Sequence, residues 1–398
     1  MKILWFPRLQ FDIDKLHITT WREMCKEIKN LGHYVEIAIA GKQNNEEIFT
    51  GKYISIPIIR IKFFRSLSFW INGFLKFIIS YHKFNPDIVI LNLYTIWFSL
   101  LLMFLPQKKR PLIIVDNRTP FYNSASDDTI KINDRIMRSF TRLCYWYCRK
   151  FLDGMTVITE HYKQQVCKDF KFDVSAIGVW GSGVDIERFS PLKYTNKDAP
   201  FFLKDKFVLM QHGGITYNRG LLETVEALSM IEREDVCLVL IGTAIAGSKA
   251  KDDILQLIKK FKLEKNVFVL PPVPHAEIPM YISYCDCAIM AYPNIEYWNN
   301  NNPIKLLEYL AMGKVVMCTD MWTFRKVAGN KNCAYYLKDN SPESIAQAIN
   351  VCYQNRESLQ EWGKEGIEVI KENYTWRKQA QRLLDFIVKL QQRENNIL

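Results

Sequence analysis

The sequence predicts an α/β protein with two domains, each built as a doubly wound parallel sheet. The chain has 398 residues, and a domain typically takes roughly 100–200 residues. Short apolar runs alternate with helical patterns along most of the chain, as expected for parallel strands joined by helices. The alternation pauses after Gly183 and then restarts, which predicts a second sheet.

In the first half, strands are predicted from short apolar runs at Lys2–Phe6, Tyr34–Ala40, Ile88–Leu91, Leu112–Val115, Met155–Ile158 and Ala176–Val179. A helix is predicted over Ile18–Leu31, because Gly32 follows it and glycine is favoured just past a helix end. The uncharged stretch 88–107 is about as long as a membrane span. We interpret it as a strand followed by a short helix over Thr95–Leu105, because Asn92 interrupts the apolar run.

The second half repeats this pattern. Its predicted strands are Phe207–Gln211, Cys237–Ile241, Val267–Leu270, Cys287–Ala291 and Val315–Cys318. Its predicted helices are Gly220–Ile231, Asp252–Phe261, Ile304–Ala311 and Pro342–Tyr353. Glycines around Ser182 mark the connector between the halves, and Trp376–Gln392 is amphipathic. We therefore predict domains over 1–182 and 183–372, with a C-terminal helical segment over 373–398.

The positive charge is concentrated in the first half. The whole chain carries +11, and residues 1–185 hold 26 basic and 17 acidic groups, a net +9. No acidic residue lies between Glu47 and Asp87, and the basic residues there are Lys52, Arg60, Lys62, Arg65, Lys76 and Lys83. Cations beside aromatic side chains are typical of a surface that binds an anionic membrane. The alternative is a solvated helix whose aromatic residues pack inward.

No nucleic-acid-binding motif is present, so we expect no nucleic acid partner.

The cysteine and acidic residues predict no metal site. The ten cysteines form no CxxC or Cys/His ligand pattern, and we expect reduced, mostly buried thiols. The first residues reach an acidic side chain too early for a secretory signal. No DxD or other acidic cluster suggests a bound metal, and we predict that the protein needs no metal and no other cofactor.

The strongest motif covers residues 299–316, where asparagines and a proline precede a helix. Asn302 is a good N-cap, and Pro303 is favoured at the first helical position. A helix N-terminus offers free N–H groups and a positive dipole end, which suit a phosphate. Lys305 would lie in the first turn, where a cation is unfavourable unless an anion is near. Glu308 follows one turn later. The alternative is that both are ordinary solvated side chains.

A second motif, residues 211–220, follows a strand and opens a helix. Gly213 and Gly214 would let a ligand approach the backbone, and Arg219 could hold a phosphate with two hydrogen bonds. On this pattern alone, Arg219 could equally be a surface residue. His212 is either a packed side chain or part of the site.

These two motifs resemble those of the donor-binding domain of retaining glycosyltransferases of family four, which have the GT-B fold. Three further matching segments lie between them in the expected order, at Leu240–Gly242, Val267–Val273 and Asp286–Pro293. Residues 302–316 are similar to the P-x-K-x-x-E version of the donor motif. The resemblance extends over about residues 150–390. It implies two Rossmann-like domains that face a cleft, with the last helix crossing back to the first domain.

The resemblance also implies the roles of individual residues. The domain over 1–182 would bind the acceptor, and the domain over 183–372 would bind a nucleotide-diphosphate sugar with UDP or GDP as its nucleotide. Glu308 would hold the ribose hydroxyls, and the diphosphate would lie against Arg219, Lys305 and nearby backbone. The implied donor site comprises Gly213, Gly214, Arg219, Val273, Asn302, Pro303, Ile304, Lys305 and Glu308.

The sequence departs from the family pattern at several positions. Asn300 occupies the place of a second glutamate, and Gly214 that of a basic residue. The loop Pro7–Leu16 lacks the usual pair of glycines. Asp116 lies where relatives usually have a histidine. Because it ends a predicted strand, at the edge where open α/β sheets bind ligands, we predict that Asp116 orients the transferred sugar or the acceptor. We assign catalysis to Asp116, Arg219 and Lys305.

We interpret the chain as a glycosyltransferase that moves a hexose with retention from a nucleotide sugar to a glycan or lipid-linked acceptor. We expect it in the cytoplasm, peripherally bound to the inner membrane face, in surface polysaccharide or glycoconjugate biosynthesis. A catalytically degenerate nucleotide-sugar-binding scaffold is one alternative, motivated by Asn300 and Gly214. A GT-B nucleotide-sugar 2-epimerase is another, and the basic aromatic segment argues against it.

Overall fold

The computed structural model describes residues 1–9, 15–41, 53–59, 61–106, 109–119, 132–194, 200–244 and 247–397. The chain forms two compact units. Unit 1 combines Met1–Ser182 with Trp376–Leu398, and unit 2 is Gly183–Thr375. The expected binding of acceptor by the first domain and of donor by the second stays a prediction.

Unit 1 contains a seven-stranded sheet in which every pair of neighbours is parallel. Its strands are β1 (Lys2–Phe6), β2 (Tyr34–Ala40), β3 (Tyr53–Ile56), β4 (Ile88–Leu91), β5 (Leu112–Asn117), β6 (Gly154–Val157) and β7 (Ile177–Val179). The spatial order is β3-β2-β1-β4-β5-β6-β7. This order reverses between β1 and β4, as in doubly wound sheets.

Helices cover both faces of this sheet. They are α1 (Lys15–Asn30), α2 (Lys62–Phe84), α3 (Ile132–Phe151), α4 (Glu160–Phe170) and α13 (Trp376–Ile397). Successive residues of a strand point to opposite faces. In β1, Trp5 therefore packs in the core formed with α1 and α13, and Phe6 packs in the core formed with α2.

The last helix returns to unit 1, as predicted. α13 packs against α1 and β7, with Leu383 and Ile387 buried in the core beside Trp5. The approach to β7 is so close that a Cβ atom at Gly178 would lie 2.4 Å from the ring of Phe386. A side chain at position 178 would therefore displace the helix.

Unit 2 contains a six-stranded parallel sheet with the order β10-β9-β8-β11-β12-β13. The strands are β8 (Phe207–His212), β9 (Val236–Ile241), β10 (Val267–Leu270), β11 (Cys287–Met290), β12 (Val315–Thr319) and β13 (Ala334–Leu337). The helices are α5 (Leu221–Ser229), α6 (Ala250–Lys260), α7 (Ile278–Ser283), α8 (Glu296–Asn300), α9 (Ile304–Ala311), α10 (Trp322–Ala328), α11 (Pro342–Gln354) and α12 (Leu359–Asn373). The two doubly wound sheets confirm the predicted fold class.

One helix of the first half differs in type from the prediction. The expected helix over Thr95–Leu105 is a 3₁₀ helix, Ile96–Phe104. Lys52, Arg60 and much of the loop Pro7–Leu16 lie outside the described residues.

Within the described part of the chain, no helix is both long and apolar enough to cross a bilayer. All ten cysteines are described, and they are free thiols, as predicted.

Candidate functional site

The residues of the two sequence motifs converge in unit 2, where the strand order reverses between β8 and β11. Open α/β sheets bind ligands at this point, beyond the carboxyl ends of the strands. β8 ends at His212 and continues into the glycine turn, and α9 begins nearby. The two motifs, about 90 residues apart in sequence, therefore form one site.

Gly213 brings the two motifs into contact. Its φ of +118° is one that residues with a side chain rarely adopt. A Cβ atom here would lie 2.2 Å from Lys305 Cε and 3.0 Å from Arg219 Nη1. Position 213 must therefore be glycine for Lys305 to lie across the turn. Gly214 is less crowded, since a Cβ there would be 4.0 Å from Arg219 Nη2.

Two cations lie side by side above this turn. The Arg219 guanidinium lies 5.7 Å from the ring centroid of Tyr292 and 5.5 Å from that of Trp298, and Nη1 donates to the Tyr292 hydroxyl at 3.4 Å. Burial and the neighbouring Arg219 lower the pKa of Lys305 to about 8, although Glu308 opposes the shift. An anion bound between Lys305 and Arg219 would relieve their repulsion.

The start of α9 adds backbone donors to these cations. The N-cap is Pro303, one residue later than predicted, and no described side chain caps the helix. Asn302 does not act as the cap. Its Oδ1 is buried and has no hydrogen-bond partner among the described residues. The Ile304 N–H donates to the Asn302 carbonyl and the Leu307 N–H to the Pro303 carbonyl. The first amides of a helix have no partner within the helix, so those of Lys305 and Leu306 can bind an anion.

Glu308 lies one turn into α9, with only 4% of its surface exposed. Its Oε2 is 2.8 Å from His212 Nε2, and its Oε1 is 2.7 Å from His275 Nε2. Burial raises the pKa of Glu308, but the hydrogen bonds to His212 and His275 outweigh this and lower the pKa to about 2. Glu308 is therefore a buried anion at neutral pH.

The remaining predicted residues have different settings. Val273 is partly buried and packs against the core of unit 2. Asn300, at the position of the missing glutamate, is fully buried at the end of α8. Ile304 is exposed at the first position of α9.

Asp116 lies in unit 1, at the end of β5, and its side chain is buried rather than open to a ligand. It accepts a hydrogen bond from Thr156 at 2.8 Å. Burial raises the pKa of Asp116 to about 6, against the opposing effect of Arg118 and of hydrogen bonds. Arg118 in turn lies 3.7 Å from the Trp180 ring centroid and donates to the Trp180 carbonyl at 2.8 Å. This setting differs from that expected for a residue that contacts the sugar, and the catalytic role of Asp116 stays a prediction.

Sequence reasoning missed His275, Tyr292 and Trp298. Each is a single residue in a loop or short helix, and only the fold brings it to Glu308 or Arg219. No sequence signal marks them. Among the described residues there is no group of three or more His, Cys, Asp or Glu that could hold a metal.

Two family models match the chain, one in each half. The model for glycosyl transferases group 1 matches residues 193–369, and the model for Glycosyltransferase Family 4 matches residues 19–188. The chain is a nucleotide-sugar-dependent glycosyltransferase with a GT-B fold.

Known proteins resemble this glycosyltransferase over half of its length or more. It is 23% identical over 361 residues to the uncharacterized glycosyltransferase MJ1069 of Methanocaldococcus jannaschii. This alignment covers 88% of this chain and 85% of MJ1069. It is 26% identical over 204 residues to TuaH of Bacillus subtilis, a putative teichuronic acid biosynthesis glycosyltransferase, covering 51% of this chain and 49% of TuaH. The crystal structure of Anabaena HepE in complex with UDP has a TM-score of 0.73 at 13% identity and covers 98% of this chain and 100% of HepE. At this identity, the likeness to HepE shows the fold.

Proposed function

We propose that this glycosyltransferase transfers a hexose, with retention of configuration, from a UDP- or GDP-sugar to a glycan or lipid-linked acceptor at the cytoplasmic membrane face. The observation that carries the proposal is the convergence of Arg219, Lys305 and the start of α9 beside the buried Glu308. The cations and helix amides suit a diphosphate, and the carboxylate suits the ribose hydroxyls.

The transfer needs few acids and bases from the protein. The bond between the anomeric carbon and the diphosphate oxygen breaks, and the bond to the acceptor oxygen forms on the same face of the sugar. The departing diphosphate takes the acceptor's proton. Arg219, Lys305 and the α9 amides would then stabilise the negative charge that develops on the leaving group.

A screen of nucleotide sugars tests the proposal directly. Purified protein is incubated with UDP-, GDP- and ADP-sugars, and thermal shift and nucleotide release are measured. We expect a UDP- or GDP-sugar to raise the melting temperature and to be turned over, with most activity retained in EDTA. Strict dependence on Mg²⁺ or Mn²⁺ would contradict the proposed metal-free site, and binding without transfer or hydrolysis would favour the scaffold alternative.

Unit 1 carries an exposed apolar surface that supports a membrane partner. α2, the 3₁₀ helix and α3 lie next to one another, since Trp70 contacts Phe98 with ring centroids 5.5 Å apart and Trp97 contacts Tyr147 at 5.2 Å. We define the outer face by the exposed apolar side chains of these three elements. They are Phe64, Leu67, Ile71, Leu75, Ile79, Leu100, Leu101, Phe104, Ile136, Met137, Leu143, Trp146 and Phe151.

The outer face combines apolar and basic side chains. Along α2 the exposed apolar residues recur every three or four positions, which forms one stripe of the helix. The buried stripe, which includes Phe69 and Phe77, packs on the sheet. Most aromatic residues of α2 therefore pack inward, as in the alternative interpretation, and the exposed stripe is mainly aliphatic. α3 presents the exposed cations Arg135, Arg142, Arg149 and Lys150 beside Leu143 and Trp146. Apolar and cationic groups on one surface match the boundary of an anionic bilayer.

Vesicle flotation tests the outer face. One variant replaces Leu67, Ile71 and Leu75 with Glu, and another replaces Arg135, Arg142 and Lys150 with Glu. We expect the wild type to float with anionic vesicles at low salt and both variants to float less, because each cation near the surface contributes about 1 kcal/mol and salt screens this attraction.

The control is Leu255→Glu, an exposed apolar residue of α6 in unit 2. It should float like the wild type. If the wild type stays at the bottom of the gradient at low salt, or if both outer-face variants float as well as it does, the membrane partner is wrong.

The relatives support the pathway that we propose. TuaH is named for the biosynthesis of teichuronic acid, and the neighbour HepE binds UDP in its crystal structure. We accordingly propose surface polysaccharide or glycoconjugate assembly as the context of this transferase.

A further inference from the structure

We propose that His275 is a positioning residue that orients the Glu308 carboxylate for the ribose of the nucleotide. This inference rests on the proposed function, because it takes Glu308 as the ribose ligand. It adds a residue that lies outside both sequence motifs and beyond the end of β10.

The Glu308 carboxylate is bonded on both oxygens by histidines from different elements. His212, at the end of β8, bonds Oε2 at 2.8 Å, and His275, in the loop before α7, bonds Oε1 at 2.7 Å. An ionised carboxylate has about four lone-pair sites. The two histidines therefore use one site on each oxygen, and the remaining sites can accept ribose hydroxyls.

The hydrogen bonds of Tyr309 assign the tautomer of His212. The Tyr309 hydroxyl oxygen accepts the backbone N–H of His212 at 2.9 Å, and it lies 2.7 Å from His212 Nδ1. Its own hydrogen can then donate to Nδ1, which leaves the ring hydrogen on Nε2 to be donated to Glu308. Burial lowers the pKa of His212, which favours this neutral form. His212 is thus a fixed internal donor.

His275 has a different setting. The side chains of His212 and Glu308 are 6% and 5% exposed, whereas that of His275 is 39% exposed. Its ring packs on Phe189 with centroids 5.6 Å apart. Among these three groups, His275 is the one that solvent reaches, so a nucleotide would approach the carboxylate from its side. His275 Nε2 then determines which lone pair of Oε1 stays open to the ligand.

The loop of His275 also contains Val273, a residue of the implied donor site whose backbone, by the family resemblance, would face the base. The turn is short, with Glu277 N–H donating to the Pro274 carbonyl at 2.9 Å. A nucleotide bound against this loop would therefore have its base and its ribose positioned by the same few residues. His275 would connect the loop to the carboxylate.

The test compares wild type, His275→Ala and His275→Gln with UDP and 2′-deoxy-UDP, and with the GDP pair in parallel. Gln carries a side-chain N–H donor that can replace His275 Nε2. Because 2′-deoxy-UDP lacks the 2′-hydroxyl that would bond the Glu308 carboxylate, it should bind the wild type about 10–100-fold more weakly than UDP does. In His275→Ala, UDP should bind about tenfold more weakly than to the wild type. The preference of this variant for UDP over 2′-deoxy-UDP, which we call the discrimination, should shrink to about threefold or less. His275→Gln should restore most of both values.

Glu277→Gln, an exposed change in the same loop, is the matched control and should behave like wild type. Thermal unfolding of each variant verifies that it is folded. The inference is overturned if His275→Ala binds UDP normally, or if its affinity falls while the discrimination stays unchanged and Gln fails to restore it. If the wild type binds neither UDP nor GDP, the proposed donor site itself is wrong.

Discussion

Replacing Lys305 with Met, or Arg219 with Gln, should lower turnover by about 10²–10³-fold, the loss typical when one preorganised donor to a developing anion is removed. The two cations lie beside the same glycine turn, and their mutual repulsion is relieved only when a negative charge is present. Because charge builds on the diphosphate as it leaves, the effect should be on kcat more than on KM. Steady-state kinetics with the accepted sugar nucleotide measure both.

Stability and pH dependence provide the controls for these variants. Because its environment lowers the pKa of Lys305 to about 8, charged Lys305 disfavours the folded state below that pH, and Lys305→Met should not lower the melting temperature. An anionic ligand favours the charged lysine, so wild-type nucleotide affinity should fall as pH rises above 8. Lys259→Met, an exposed change on α6, should alter neither property. Normal turnover in both Lys305→Met and Arg219→Gln would mean that the phosphates bind elsewhere.

Replacing Glu308 with Ala should weaken nucleotide binding by about 10–100-fold, because charge-assisted hydrogen bonds to two hydroxyls are lost. This variant should also be less stable. It leaves the buried N–H group of His212 without its acceptor, and an unsatisfied buried donor costs about 1–3 kcal/mol, whereas the more exposed His275 can bond to water.

Glu308→Gln separates binding from stability. The amide keeps the size of the side chain and one acceptor oxygen, which can serve the buried His212, so the fold should be more stable than that of Glu308→Ala. Its affinity for the nucleotide should still fall, because the negative charge is gone. Isothermal titration and thermal unfolding of both variants make the comparison. Wild-type affinity in Glu308→Gln and Glu308→Ala would remove this residue from the site.

The sequence predicts eleven of the thirteen strands and misses β3 and β13, each of which lies at one edge of its sheet. Inner strands are buried on both faces and form continuous apolar runs, which identify them. Tyr53–Ile56 and Ala334–Leu337 are edge strands that each have four residues and are partly exposed. Their sequences, YISI and AYYL, contain polar atoms and are less distinct than the VFVL run of β10, an edge strand of the same length that was predicted. The helical pattern over Thr95–Leu105 was also insufficient to distinguish an α-helix from a 3₁₀ helix, since short apolar runs fit both.

In the site, some residues are marked by local sequence patterns and others are brought together only by the fold. Local chemistry indicates α9, because a proline, a lysine and a glutamate occur at defined positions around a helix start. The proximity of Gly213 to Lys305 agrees with the expected joining of the two motifs. His275 contacts Glu308 only because the order β10-β9-β8-β11 and the following loops bring them together. A contact of that kind leaves no local pattern in the sequence.

The return of α13 to unit 1 has a consequence for synthesis. The strands of unit 1 leave the ribosome before residues 183–375, and α13 leaves after them. At 5–20 residues per second, the delay is roughly 10–40 s. During this interval the side of the sheet that carries Trp5 is covered by α1 but still lacks α13, the second helix that buries it. The newly made chain therefore completes its second folding unit before its first, and the partly covered sheet is the segment on which a chaperone would act.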